Sequence, residues 1–265
     1  MSAIEITRAG ATAVLTMNRP ESRNALDFAM REEFGAAVAQ VRDDPSVRAV
    51  VLTGAAGHFC AGGDIKAMAV QQSQKRDIFE GRERIRKIHR WFDELVDLEK
   101  PVIAAVDGVA FGAGLSLALC ADFVLASPRA RFSCVFARLG YVPDLGAMYL
   151  LPRAIGLARA KDMVFTGRVL DAAEAHAIGL VQTICDQDLL ESALAYAARF
   201  HAAPTDAIGL AKSVMNRAFE SDRKDVYAQE AMAQAMCRES DFHAEAVRRF
   251  VAKEAPLYQW QDAKA

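Results

Sequence analysis

The sequence has no excess of charge. Its 32 Lys and Arg stand against 34 Asp and Glu, a formal net charge of -2 over 265 residues. That balance excludes the basic field of a nucleic-acid binder and the polybasic face of a membrane-surface protein. Cysteine is sparse and scattered. Cys60, Cys120, Cys134, Cys185 and Cys237 form no CxxC pair and no His/Cys cluster. Neither a metal site nor a disulfide framework is therefore expected, and a reducing, cytoplasmic setting fits. Met1–Glu5 lacks a basic stretch followed by an apolar run, so no secretory signal is expected. Low-complexity tracts and fixed-period repeats are missing as well. One long apolar run, from Pro101 to Ala126, imitates a membrane span. Asp107, Asp122 and the small residues Gly108, Gly112, Ala113 and Gly114 interrupt it, so it reads as a buried strand, a turn and a buried helix.

What is present is a chain with 52% hydrophobic residues, enough for one large domain or a domain with an appendage. Ile4–Thr7 and Ala13–Met17 read as a hairpin around Ala9-Gly10. Asn24 is the expected cap of a helix from about Ala25 to Arg42, with Leu26, Met30, Phe34 and Val38 on one face. Val47–Thr53 reads as a buried strand ended by Gly54, and a charged helix is expected from about Ile78 to Leu98. Strand Val102–Val106 leads to a helix through Cys120, then to short strands at Phe123–Ala126 and Ala130–Cys134. Alternating strands and helices predict an α/β fold of right-handed units. After Val181–Ile184 the chain turns helical: Leu189–His201, Asp206–Phe219, Tyr227–Cys237 and Phe242–Lys253. Such a section must bury its apolar faces on the core or on another subunit.

Two glycine-rich turns carry the chemistry. His58-Phe59-Cys60-Ala61-Gly62-Gly63-Asp64-Ile65 and Gly108-Val109-Ala110-Phe111-Gly112-Ala113-Gly114 each follow a β-branched run and open a helix. Such turns leave backbone N–H groups without partners. Two of them converging would hold a developing negative oxygen, which points to chemistry at a carbonyl.

These residues resemble the enoyl-CoA hydratase/isomerase (crotonase) superfamily over nearly the whole chain. The resemblance lies in Leu15-Thr16-Met17-Asn18-Arg19-Pro20 with Asn24-Ala25-Leu26, in Phe59 to Ile65, and in Pro101 to Gly108 with its glycine turn and Ala121-Asp122. It continues in Gly140-Tyr141-Val142-Pro143-Asp144-Leu145-Gly146, Leu151-Pro152-Arg153, Gly167 with Ala172-Ala173-Glu174-Ala175, and Gly179-Leu180-Val181. It implies a spiral core of ββα units over residues 1–195 and a helical trimerisation region over 196–265. An acyl-CoA thioester is the implied partner, in a homotrimer or a dimer of trimers. No cofactor is implied, because coenzyme A is part of the substrate. Gly63 and Ala113 take the positions of the oxyanion amides. Arg23, Ala25, Ala61, Asp64, Ile65, Phe111 and Gly112 would line the substrate path. Phe250 and Lys253 match a stretch that reaches a neighbouring subunit's CoA, although Lys253 also reads as a solvated helix-end lysine.

Hydratases of the family activate water with two glutamates. Their positions here hold Ser116 and Phe136, and neither side chain can serve as a carboxylate acid or base. A carboxylate appears instead at Asp144, in a Pro-Asp turn that resembles double-bond isomerases, epoxyphenylacetyl-CoA isomerases and an aryl-CoA dehalogenase. Asp144 is thus the expected acid/base of an isomerase, with an apolar wall from Phe136, Leu139, Tyr141 and Val142 raising its pKa. Its local context also suits a helix cap, and the two roles are compatible. Hydration, hydrolysis, aryl displacement and simple CoA binding remain alternatives. Asp64 reads as a residue that fixes its turn or caps the next helix, His58 as an exposed loop residue, and Glu80, Glu83 and Arg84 as a solvated helix face. His89, His176, His201 and His243 show no ligand spacing.

Overall fold

The computed structural model describes residues 2–72 and 77–260. The expected hairpin forms from β1 (Ile4–Ala9) and β2 (Thr12–Met17), paired antiparallel. Helix α1 (Phe28–Asp43) returns the chain to β3 (Ala49–Gly54), which lies parallel to β2 with Val51 beside Val14. Helices α2 (Ile65–Gln72) and α3 (Ile78–Val96) precede β4 (Val102–Val106), parallel to β3. The run that imitates a membrane span is β4, β5 (Val109–Phe111), α4 (Ala113–Leu119) and β6 (Phe123–Ala126). No helix among the described residues is long and apolar enough to cross a membrane.

Strand β7 (Arg131–Ser133) leads through a 3-10 turn, Val135–Leu139, to α5 (Ala147–Ile155) and α6 (Leu157–Thr166). β8 (Val169–Asp171), α7 (Ala172–Ala177) and β9 (Thr183–Ile184) complete two sheets. The larger has the order β1-β2-β3-β4-β6-β9, the smaller β5-β7-β8.

The buried parallel strands read as unbroken apolar runs because both faces are covered. On β3, Val50 and Leu52 face a core built with Met30, Phe34 and Val38 of α1 and Phe92 and Leu95 of α3. Ala49 and Val51 face the opposite way, onto Ala193, Ala197 and Phe200. The period-two alternation of side chains thus divides one strand between two cores. Helix α8 (Leu189–Ala198) supplies the second core, so the division at 195/196 falls inside a helix packed on the sheet.

The expected cap at Asn24 is incorrect. Asp27 caps α1, accepting from the Met30 amide at 2.9 Å, and the helix begins at Phe28. Asn24 is fully buried at φ +58°, where its side chain accepts from Arg19 N and donates to the Ala55 and His58 carbonyls. Asn tolerates that left-handed conformation better than most residues, and here it ties three segments together. Asp27→Ala is expected to lower unfolding free energy by about 1 kcal/mol, measured as a shift in denaturant midpoint. An unchanged midpoint would show that the Asp27 cap contributes nothing.

Helix α9 (Thr205–Arg217) returns to the body, with Lys212 Nζ on Asp122 at 2.9 Å and Asn216 on the Val96 carbonyl. Helices α10 (Arg223–Arg238) and α11 (Asp241–Ala252) contain no buried residue and expose Tyr227, Met232, Met236, Val247, Phe250 and Val251.

Candidate active site

β3 and β4 are neighbouring parallel strands, so the loops at their carboxyl ends lie side by side. Crevices outside such strand ends are where open α/β sheets bind ligands. The loop after β3 is stitched to the segment after β4. Phe59 N donates to Asp107 O, Cys60 N to Val109 O, and Phe111 N to Cys60 O, at 2.7–3.0 Å. On its other side the same loop pairs with residues 23–26: Ala61 N donates to Arg23 O, Leu26 N to Gly62 O, and Asp64 N to Leu26 O.

That second pairing orients Gly63. The carbonyl before it and the amide after it both bond Leu26, so its own N–H points away from Leu26. Ala113 is the first residue of α4, where an amide has no partner within the helix. A methyl group added at Gly62 would stand 3.6 Å from Ala113 N and 2.7 Å from Phe111 O, with φ at +100°. Only glycine allows that approach, which brings the two turns into contact.

Asp144 lies between the 3-10 turn and α5. Ser116 is one turn along α4 from Ala113, and its hydroxyl donates to the Asp144 carbonyl at 3.0 Å. Asp144 is not the helix cap. Leu145 and Gly146 both adopt left-handed conformations, φ +46° and +67°, and Gly146 stands at the cap with no side-chain hydrogen bond. A buried leucine in that conformation stores strain beside the carboxylate. Asp144 Oδ1 is buried with no hydrogen-bond partner. Burial pushes the carboxyl's pKa up, against the opposing charges of Arg31 and His89.

The expected apolar wall is only partly present. Phe136 is half-buried and comes 3.8 Å from a methyl position on Gly112, but Leu139, Tyr141 and Val142 are exposed in this chain. Burial of Asp144 arises where the loop packs on Ser116, with Leu145 in the core.

The remaining residues divide clearly. Arg23, Ala25 and Ala61 flank the first turn. Arg23 is exposed, with its carbonyl on Ala61 N, and the Ala25 carbonyl accepts from Arg19 at 2.5 Å. Asp64 fixes its turn, accepting from Lys66 N, Ala67 N and Arg19. Ile65 is exposed, and Phe111 is half-buried between the turns. Phe250 and Lys253 are exposed at the end of α11, whose main packing is on α10, and do not join this group within the chain. His58 is not a free loop residue: its Nδ1 is buried without a partner, and burial lowers its pKa. Among the described residues, no cluster of three His, Cys, Asp or Glu could hold a metal ion.

Three residues near the site escaped the sequence reading. Arg31 Nη2 comes 3.8 Å from a methyl position on Gly63. His89 and Arg31 both act electrostatically on Asp144. Arg84 is not simply solvated: it is half-buried, with its guanidinium 5.7 Å from the Phe28 ring centre. A signal existed for two of them. Arg84 precedes Ile88 by four residues and His89 precedes Phe92 by three, the spacing of one helix face. Arg31 borders an apolar stripe, where a sequence cannot separate a cleft from open solvent.

A family model described as enoyl-CoA hydratase/isomerase matches residues 7–262. The chain belongs to the enoyl-CoA hydratase/isomerase family. It is 34% identical over 258 residues to a probable enoyl-CoA hydratase of Mycobacterium bovis, covering 96% of this chain and 97% of the relative. It is 35% identical over 249 residues to the 1,2-epoxyphenylacetyl-CoA isomerase of Escherichia coli K12, covering 92% and 93%. A crystal structure of an enoyl-CoA hydratase/isomerase from Cupriavidus metallidurans CH34 superposes with a TM-score of 0.93 at 37% identity, covering 100% of this chain and 99% of that one. This family member therefore has the α/β crotonase fold and is an acyl-CoA-processing enzyme. Relatives of similar identity bear hydratase and isomerase names alike, so overall similarity does not select the reaction.

Proposed function

We propose that this enzyme isomerises an unsaturated or ring-containing acyl-CoA, with Asp144 as acid/base and the Gly63 and Ala113 amides holding the thioester oxygen. The observation that carries this reading is the buried, unpartnered Oδ1 of Asp144, beside positions 116 and 136 that hold no carboxylate. A thioester acidifies neighbouring C–H bonds, and two amides aimed at its oxygen stabilise the enolate more than the ground state. One carboxylate then suffices: it takes a proton from one carbon and returns it to another. Water addition needs a positioned base and acid, which Ser116 and Phe136 do not supply. The route calls on no metal or redox cofactor, and coenzyme A arrives as part of the substrate. Arg23, Ala25, Ala61 and Ile65 would border its path. Lys253 and Phe250 would reach the CoA of a neighbour in a homotrimer or dimer of trimers, which would also cover α10 and α11. The proposed setting is cytoplasmic.

A second reading rests on His89. A carboxylate within the electrostatic reach of a histidine also suits a nucleophile that displaces a leaving group from an aromatic acyl ring, with the histidine as base. The test incubates acyl-CoA and enoyl-CoA panels with enzyme in heavy water. Isomerisation predicts a shifted double bond and no water adduct, with deuterium at the receiving carbon in proportion as the Asp144 proton exchanges with solvent before its return. Because burial raises the Asp144 pKa and the base form must be ionised, the rate should fall on acidification at a pH above the ordinary carboxylate range. A hydrated product without exchange would overturn the proposal.

A further inference from the structure

We propose that the acyl group accepted by this enzyme carries a second carboxylate, bound by the Arg31 guanidinium with Arg84 reinforcing the field. The inference rests on the reading that Asp144 faces the acyl carbons, and it narrows the substrate class.

Arg31 lies in the first turn of α1, against the turn at Gly63. It is half-buried, and burial disfavours its charge. Yet among the described residues no carboxylate forms an ion pair with it, and its hydrogen bond to the Leu26 carbonyl is long, at 3.4 Å. A guanidinium has five donors, so most of this one remains available to a ligand.

The nearby acids, Asp27 and Asp144, favour the Arg31 charge but form no ion pair with it among the described residues. Asp27 caps α1 through the Met30 amide and pairs with Arg19 at 3.2 Å. Asp144 acts on Arg31 electrostatically, but no ion pair joins them among the described residues, and its Oδ1 has no hydrogen-bond partner. A second cation adds to the field. Arg84 and Arg31 each lie 5.7 Å from the centre of the Phe28 ring, and Arg84 makes the Arg31 charge less favourable. The site thus holds the Arg31 guanidinium without an ion pair of its own among the described residues, with the Arg84 charge nearby.

The shape of the ligand follows from the fork. Guanidinium binds carboxylate through parallel hydrogen bonds, and desolvation strengthens them. Arg31 stands beside the Gly63 turn, 3.8 Å from a methyl position there, and acts electrostatically on Asp144, the residue read as facing the acyl carbons. The anion it meets is therefore on the acyl group rather than a CoA phosphate.

Equilibrium binding of glutaryl-CoA and pentanoyl-CoA tests this without requiring turnover. Wild-type enzyme is expected to favour glutaryl-CoA by about tenfold or more. In Arg31→Leu that ratio should collapse toward one, with Arg31→Lys between them; thermal melting checks that the variants fold. Equal wild-type affinities, or a preference for pentanoyl-CoA, would overturn the inference whatever the variants do. An equal loss for both ligands in Arg31→Leu would also overturn it, assigning Arg31 to the thioester or CoA. Equal wild-type affinities together with deuterium incorporation sink only this inference. Failure of wild-type enzyme to bind either thioester sinks the proposed function as well.

Discussion

Asp144→Asn should slow deuterium exchange and isomerisation by about 10²–10⁴-fold, the usual contribution of a positioned acid or base. Asparagine keeps the shape of the side chain but cannot take a proton from carbon. The backbone that presents it should persist, because Ser116 holds residue 144 through its carbonyl rather than its carboxylate. No helix cap is lost either, since Gly146 occupies that position. Thermal unfolding of the variant should therefore stay close to wild type while chemistry fails. Full turnover in Asp144→Asn would end the proton-shuttle reading. A large stability loss with proportionate activity in the surviving folded fraction would return Asp144 to a structural role.

Gly114→Ala is expected to damage both stability and rate. An added methyl group would overlap the Cys60 carbonyl oxygen and stand 2.9 Å from the Cys60 carbonyl carbon. Those are backbone atoms, so no side-chain rotation relieves the clash. The turns must separate, and Ala113 N must move with its neighbour. Overpacking of this kind costs about 1–3 kcal/mol, and loss of one oxyanion donor lowers the rate by about 10²–10³-fold. Gly81→Ala provides the contrast. A methyl group there, within α3, meets no atom within 4 Å. Helix propensity predicts a gain of about 0.5–1 kcal/mol without effect on the reaction. Wild-type kcat/KM in folded Gly114→Ala would show that the contact between the turns does not set the oxyanion geometry.

Much of the framework was legible in the chain. β4 and β6 occupy the segments expected from their apolar runs, and α3, α8, α9, α10 and α11 lie within a few residues of their expected bounds. Long periodic segments announce themselves because burial on one face repeats along the helix. The start of α1 was misread because Asn24 and Asp27 are both good caps. Tertiary hydrogen bonds from Arg19 and to Ala55 and His58 draw Asn24 into another conformation. The two turns were visible as glycine patterns, and the chain belongs to the family whose resemblance they carry. Leu139, Tyr141 and Val142 were misjudged because apolar residues in a loop give no periodicity from which to infer a direction.

By itself the sequence determined the alternation of strands and helices, the paired glycine turns, and the replacement of two expected carboxylates by Ser116 and Phe136. Each is a local property: apolar period, the need for left-handed backbone, or the chemistry of one side chain. Only the tertiary structure decided that Asp144 has a buried, unpartnered carboxyl oxygen rather than a capping role, that Arg31 and His89 act on it, and that Arg84 stands beside Arg31. Burial and electrostatic field depend on groups brought from α1, α3, α4 and the 144 loop. Their separation along the chain bears no relation to their separation in space.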